Sequence, residues 1–353
     1  MAVPEATLAP SGQVVALQAN YCRVALDEPG PGGLRQLLCT RRSRLGKCGV
    51  EVCVGDRVVL AGVDWEQGRA AIAGRGARTS LLSRPAVANA TRLAVVVALR
   101  DPPLDPLQLT RFLLTAEATG LPVEVVLTKQ DLLPEQERRG WCRRVGAWGY
   151  RVHGVSSRSG EGIDSLRRHL AGAGITVLCG PSGVGKSSLL NLLVPGLRLR
   201  VAPVSGRLRR GRHTTRHVEL FPLGDQALVA DTPGFNRPAL PEDPRRLAAA
   251  FPELRWRLGQ HPCRFSDCRH RGDPGCAAGT DWDRYPLYRR CLEDLERSEA
   301  SLSRRTTDAE GLRNRGGSRV EPVLRSGLRR QSRRRGRQGP LEDLSPPGQA
   351  GSD

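Results

Sequence analysis

Residues Gly180-Pro181-Ser182-Gly183-Val184-Gly185-Lys186-Ser187 fit the pattern G-x-x-x-x-G-K-[ST]. The glycines allow backbone N–H groups to turn toward phosphate oxygens, and a helix start behind them adds positive potential. Lys186 would reach the β- and γ-phosphates, and the Ser187 hydroxyl would bind Mg²⁺. Ser188, the next residue, belongs to the same nucleotide-binding set. By itself this loop does not separate ATP from GTP.

Three further segments narrow the chemistry. Asp231-Thr232-Pro233-Gly234 follows the apolar run QALVA. An Asp at a strand tip can hold Mg²⁺ through water, and the Gly234 N–H can sense a γ-phosphate. Between the two motifs lies Arg212-His213-Thr214-Thr215, where either Thr214 or Thr215 can close on the metal ion. Thr128-Lys129-Gln130-Asp131 follows VEVVL. A carboxylate at Asp131 can accept from guanine N1–H and N2–H₂, a donor pair that adenine lacks, while the Lys129 stem packs along the base. Ser156 and Ser157 open Ser-Ser-Arg-Ser-Gly, whose backbone can touch guanine O6. The expected ligands are therefore GTP and GDP with Mg²⁺. No residue is identified for orienting the attacking water. Gly234 is followed by Phe235, which cannot hydrogen-bond water, and His213 and His261 read as loop and helix-end histidines. Binding should be good and unaided hydrolysis slow.

A second chemistry sits near the C-terminus. Cys263, Cys268, His270 and Cys276 run as C-x4-C-x-H-x5-C. Three thiolates and an imidazole complete a tetrahedral Zn²⁺ shell with no open position, so the ion would be structural. The other seven of the ten cysteines are scattered, consistent with free thiols in a reducing compartment.

These residues need elements to carry them. Residues 11–75 read as short strands broken by Gly, Pro and Asp, which suits a small β-barrel. The basic run Arg41, Arg42, Arg44 and Lys47 lies between two of them. Residues 78–92 read as a linker. From residue 93, apolar runs (LAVVVAL, VEVVLT, ITVLCG, QALVADT) alternate with helical stretches. That texture indicates a parallel sheet covered on both faces. Residues 239–300 read as helices around the Cys/His cluster. Residues 301–353 hold 12 Arg against 6 acids and no apolar period, so they read as a disordered basic tail.

Composition points to partners. The formal net charge is +19, which favours a polyanion, most simply nucleic acid. Of 55 basic residues only Lys47, Lys129 and Lys186 are lysines, and two of the three lie in nucleotide motifs. A compact ammonium does there what a planar guanidinium cannot. No secretory signal and no stretch of roughly 20 apolar residues occurs, so a cytoplasmic protein without a membrane partner is expected.

The order of motifs is TKQD, SSRSG, GPSGVGKS, RHTT, DTPG. Ordinary small GTPases place the phosphate loop first. This permuted order, with RRSRLGK and VGDRV in the barrel, Arg84-Pro85 and Asn89 in the linker and CRFSDCRHRGDPGC after the GTPase, resembles the small-ribosomal-subunit-dependent GTPases of the RsgA family. The resemblance covers about residues 11–300. It implies an OB-fold barrel (1–77), a circularly permuted α/β P-loop GTPase domain (78–238) and a helical zinc-binding domain (239–300), followed by the uncovered tail (301–353). It also implies a monomer that aids late maturation of the small ribosomal subunit through its rRNA, with hydrolysis stimulated there and release of ribosome-binding factor A. Thr128 replaces the family's usual Asn, so weaker bracing of the guanine loop is expected rather than lost specificity. Two other classes fit parts of the pattern: a GTP-bound RNA-binding module with little turnover, and a P-loop kinase or ATPase, against which the guanine motif counts. A permuted GTPase of the large subunit fits less well, because of the barrel before and the metal cluster after.

Overall fold

The computed structural model describes residues 9–18, 21–41, 51–83, 86–199, 218–224, 226–231, 238, 240–241, 243–308, 312–314 and 320–322, with side chains as far as 301. Arg42, Arg44, Lys47, Arg84 and Pro85 lie outside the described residues. The chain divides into two compact units, Met1–Leu295 and Glu296–Asp353.

The first unit opens with β1 (Ser11–Leu17), β2 (Tyr21–Leu26), β3 (Gln36–Arg41), β4 (Arg57–Asp64) and β5 (Arg69–Arg75). They pair in the order β1-β2-β3-β5-β4, and β4 closes back on β1. The β3–β5 pairing is parallel and the rest antiparallel. Side chains alternate as a barrel requires: Cys22, Val24, Leu37, Cys39, Leu60 and Ile72 point inward and are buried. The segment EVCVGD, expected to begin a strand, instead makes a turn. The Asp56 carboxylate accepts from the Cys53 N–H at 2.8 Å, a bond a strand would give to a neighbour.

Asp56 also fastens the linker. Its carboxylate is fully buried and takes two bonds from Arg78, at 2.7 and 2.8 Å. Asn89 donates to the Gly55 carbonyl at 2.9 Å and accepts from the Thr79 N–H at 2.9 Å. Between them the linker folds as a hairpin, β6 (Leu81–Ser83) with β7 (Ala86–Ala88). The linker is thus a structured joint.

A layer of parallel strands follows: β8 (Ala90–Ala98), β9 (Val123–Thr128), β10 (Arg151–Gly154), β11 (Gly174–Cys179) and, after β12 (Glu219–Pro222), β13 (Ala227–Asp231). The order is β10-β9-β8-β11-β13-β12, with only β12 antiparallel. Helices α1 (Pro106–Glu117), α2 (Glu135–Ala147), α3 (Ile163–Leu170) and α4 (Lys186–Leu193) connect them. Strand β8 explains its own apolar run. Leu93, Val95 and Val97 pack with α1, while Ala94, Val96 and Ala98 pack with α3 and α4. Beyond β12 the sheet continues into the barrel through the pair Ala16↔Glu219, so the barrel and the GTPase layer share one 11-stranded sheet.

Within residues 239–300, read as helices, the chain first makes two 3-10 turns, Pro244–Arg246 and Ala248–Ala250, before α5 (Pro252–Gln260). Pro252 stands at the first helical position of α5. Leu247, Phe251 and Leu254 pack on Leu114 of α1. The final helix α6 (Tyr285–Asp308) passes residue 300, where the tail was expected to begin. Beyond it, β14 (Leu312–Asn314) pairs with β15 (Val320–Pro322). Among the described residues no helix is long and apolar enough to cross a membrane.

Arg78→Ala should destabilise the protein by about 3 kcal/mol, because it strands a fully buried carboxylate. Urea unfolding of the full chain, followed by far-UV circular dichroism, measures this. Arg78→Lys should recover only part of the loss, since one ammonium cannot make the paired contact.

Candidate nucleotide and metal sites

The phosphate loop joins the central strand β11 to α4 and depends on backbone shapes that only glycine takes easily. Gly180, Gly183 and Gly185 all have positive φ, 141°, 79° and 94°. A Cβ on Gly180 would lie 2.0 Å from the Val96 carbonyl oxygen of β8, so no other residue fits. Lys186 reaches back over the loop and donates to the Gly180 and Pro181 carbonyls at 2.9 and 2.6 Å. Burial lowers its pKa below that of an ordinary lysine, opposed by the negative charge of Asp231 at the tip of β13. Ser187 and Ser188 are half-buried in the first turn of α4, beside that lysine. Pro181 is half-buried and Ser182 exposed at the loop crest, while Val184 is buried beneath it. Under the loop, burial pushes the Cys179 thiol up to about 12, so it stays protonated.

The guanine motif meets this loop directly. The Thr128 hydroxyl, 1% exposed, lies 2.6 Å from the Val184 carbonyl and 3.2 Å from that of Val97. One hydroxyl hydrogen can serve one of these acceptors at a time, whereas an amide would bring two. Lys129 takes a left-handed turn (φ 56°) and donates to the Gly183 carbonyl at 3.1 Å and to the carbonyl of Asp101. Gln130 is buried, and its N–H donates to the Val155 carbonyl at 3.3 Å. Asp131 is exposed, and one of its oxygens accepts from the fully buried Ser156 hydroxyl at 2.6 Å. That hydroxyl oxygen also accepts from the Arg158 and Ser159 N–H groups, and Ser157 is half-buried beside it.

Thr214, Thr215, Arg212, His213, Thr232, Pro233, Gly234 and Phe235 lie outside the described residues. His261 is exposed and ends α5. Two contributors escaped the sequence reading. The Asp101 carbonyl supports Lys129 from the loop after β8. The paired bonds of Arg138 to Glu161, at 3.0 and 2.9 Å, pin the loop that carries Ser156. The loops at the carboxyl ends of parallel strands are where ligands bind in such sheets, which was the only available signal for either.

The Cys/His cluster converges. Nδ1 of His270 lies 3.5 Å from the Cys263 sulfur and 3.7 Å from those of Cys268 and Cys276. Zinc ligand distances in tetrahedral geometry put nitrogen and sulfur about 3.6 Å apart, so the four donors are compatible with zinc. Two backbone N–H groups support the sulfurs: His270 donates to Cys268 at 3.4 Å and Ala277 to Cys263 at 3.3 Å. Burial, with the adjacent thiols, pushes the Cys268 thiol up to about 11. Tyr288 and Tyr285 of α6 hold the turn by donating to the Arg269 and Arg271 carbonyls at 2.8 and 2.7 Å.

A phosphate loop on the central strand, a guanine loop braced against it and a chain order that puts the second first define a circularly permuted GTPase. The sequence model of the RsgA GTPase family matches residues 75–241. A small ribosomal subunit biogenesis GTPase RsgA of Synechococcus sp. (strain CC9605) is 58% identical over 294 residues, covering 83% of this chain and 95% of that protein. Its namesake from Thermosynechococcus vestitus is 51% identical over 92% of this chain and 93% of its own. Among solved structures, YjeQ from Thermotoga maritima aligns with TM-score 0.68 and 30% identity, over 82% of this chain and 99% of that one. YloQ, described as a circularly permuted GTPase, shares the fold at TM-score 0.66 and 24% identity, over 84% of this chain and 99% of its own. The chain belongs to the RsgA family of small ribosomal subunit biogenesis GTPases, and it hydrolyses GTP to GDP and phosphate.

Ser156→Ala should weaken GDP binding about tenfold. It removes a charge-assisted bond worth roughly 1.5 kcal/mol and frees Asp131 to wander. Titration with a fluorescent GDP analogue measures it, with Ser157→Ala as the neighbouring control expected to change little.

Proposed function

We propose that this protein binds the assembling small ribosomal subunit through its rRNA, hydrolyses GTP slowly alone and faster on the subunit, and so times late maturation, including release of ribosome-binding factor A. The observation that carries the reading is the guanine loop braced on the phosphate loop in a chain 58% identical to a protein named for small-subunit biogenesis. In this reading Lys186 holds the β- and γ-phosphates. Ser187, Asp231 and one of Thr214 or Thr215 hold Mg²⁺, which neutralises charge on the phosphates. The backbone from Gly180 to Gly185, with Ser188 and Gly234, lines the phosphates, and Thr128 to Asp131 with Ser156 and Ser157 hold guanine. Cys263, Cys268, His270 and Cys276 hold one structural Zn²⁺. The charge of +19 supports an RNA partner. We further infer that the protein acts as a monomer in the cytoplasm.

The test is steady-state phosphate release at saturating GTP, alone and with purified small or large subunits. Slow turnover alone and a large rise with the small subunit only are expected. Equal stimulation by both subunits, or fast turnover without either, removes the proposal. Lys186→Ala should abolish basal and stimulated release. Asp131→Asn should lose GTP and gain xanthosine triphosphate, whose N2 donor is replaced by a carbonyl.

Metal analysis should find zinc in protein purified without chelators. Cys268→Ser should lose it and loosen the C-terminal segment, since structural zinc binding is largely folding free energy. Nucleotide affinity should stay close to that of the wild type.

A further inference from the structure

Far from the nucleotide, three side chains with metal-ligand chemistry meet on one face of the sheet edge. Glu124 stands near the start of β9, His153 on the edge strand β10 and His169 in the last turn of α3. The parallel ladder pairs Glu124 with Arg151 and Val126 with His153. Residues two apart on a strand share a face, so Glu124 and His153 point the same way, and α3 brings His169 over them. The Glu124 carboxylate lies 3.2 Å from Nε2 of His153 and 2.8 and 2.9 Å from Nε2 of His169. The two rings are 4.7 Å apart, tilted by 35°. Their side chains are 14%, 13% and 23% exposed for His153, Glu124 and His169, so the cluster is sheltered but open to a small ion.

We propose that Glu124, His153 and His169 form a second metal site, holding a divalent cation of the zinc class through the two Nε2 atoms and the carboxylate, with water completing the shell. Metal–donor bonds of about 2.0–2.1 Å at angles between 90° and tetrahedral put neighbouring donors roughly 2.9–3.4 Å apart. The carboxylate–imidazole separations of 2.8–3.2 Å are close to that edge length, and all the donor atoms lie within 4.8 Å of one another. Two imidazoles and one carboxylate select borderline cations over Mg²⁺ or Ca²⁺, which prefer all-oxygen shells.

Arg151 regulates this site. Its guanidinium lies 3.2 Å from Nδ1 of His169, so that nitrogen accepts and Nε2 carries the hydrogen toward Glu124. To bind a cation, the ring moves its hydrogen to Nδ1 and the exposed Arg151 side chain withdraws into solvent. Glu124 lies four residues before Thr128, roughly 13 Å along the strand, so the cation does not touch nucleotide. It cross-links β9, β10 and α3, the elements flanking the loop from Val155 to Gly162 that positions Asp131.

The experiment uses the full chain, equilibrated with buffered micromolar Zn²⁺ and freed of loose metal. The wild type should carry two zinc ions per chain, and Glu124→Gln and His153→Gln one each. Cobalt separates the sites by spectrum. The sulfur-rich cluster gives intense thiolate charge-transfer bands and the new site only weak d–d bands. Cys268→Ser should therefore lose the former and keep the latter. Unchanged GDP binding confirms that each variant is folded. Arg151→Ala, at an exposed position, should bind the second ion several-fold more tightly, which a purely structural hydrogen-bond cluster has no reason to do. A single zinc in the wild type, a second ion that survives Glu124→Gln, or no tightening in Arg151→Ala overturns the proposal.

Discussion

The contact of Thr128 with the Val184 carbonyl, with Lys129 donating to that of Gly183, is the constraint on which the nucleotide site rests. The partners are 56 and 54 residues apart in the chain. They meet because β8 lies between β9 and β11 in a parallel sheet, so the carboxyl-end loops of all three strands open on one edge. Gly180 tightens the arrangement further, since its backbone passes so close to Val96 that any side chain would collide. Permuting the chain changes which loops are joined and leaves these neighbours in place. The loops read as holding base and phosphate are thus one packed structure, and disturbing either disturbs both.

A second constraint docks the metal-cluster segment on that layer. Arg284 is fully buried, and its guanidinium makes a paired contact with Glu253. It lies over the rings of Trp148 and Phe251, at 4.7 and 4.6 Å. The adjacent Asp283 accepts from Arg144 and from the Trp148 indole N–H. A buried ion pair of this kind contributes little net stability but sets orientation strongly, because the guanidinium fork accepts one geometry. Trp148 and Tyr150 lead straight into β10, so the helical segment grips the edge of the sheet that carries the guanine loop.

Much of this was legible in the residues. The apolar runs of β8 and β11 are continuous because alternate side chains enter two different cores, and that pattern marks a covered parallel sheet. The spacing of the phosphate loop, the guanine motif and the Cys/His cluster singled out the candidate residues, since each is a local pattern. What the sequence did not disclose is long-range. The joining of barrel to GTPase pairs the backbones of Ala16 and Glu219 and the side chains of Arg23 and Glu219, contacts between residues far apart in the chain that no local pattern marks. Glu124, His153 and His169 come from three separate elements, and each alone reads as an ordinary surface residue. Thr128 shows the limit of substitution reasoning. Its side-chain chemistry anticipated weaker bracing, but only the fold identifies the carbonyls of Val184 and Val97 as the two acceptors that share one hydroxyl.

The permuted order also decides where the nucleotide can be felt. In this chain the segment between the phosphate loop and β12, and the segment after β13, are the ones read as contacting Mg²⁺ and the γ-phosphate. Both emerge from the β12–β13 hairpin. In its ladder Glu219 is paired with Asp231 on one side and with Ala16 of the barrel on the other. The Glu219 side chain is held by Arg23 of β2. The carboxylate read as a metal ligand and the barrel therefore flank the same backbone residue. Later in the chain, Leu247 and Phe251 pack on α1. Among the described residues, the ladder joins β13 to β11 on one side and to β12 on the other. An unpermuted chain would follow β13 with further elements of its own sheet. Here β13 is followed in the chain by the metal-cluster segment, and its neighbour β12 pairs with the barrel at Ala16↔Glu219.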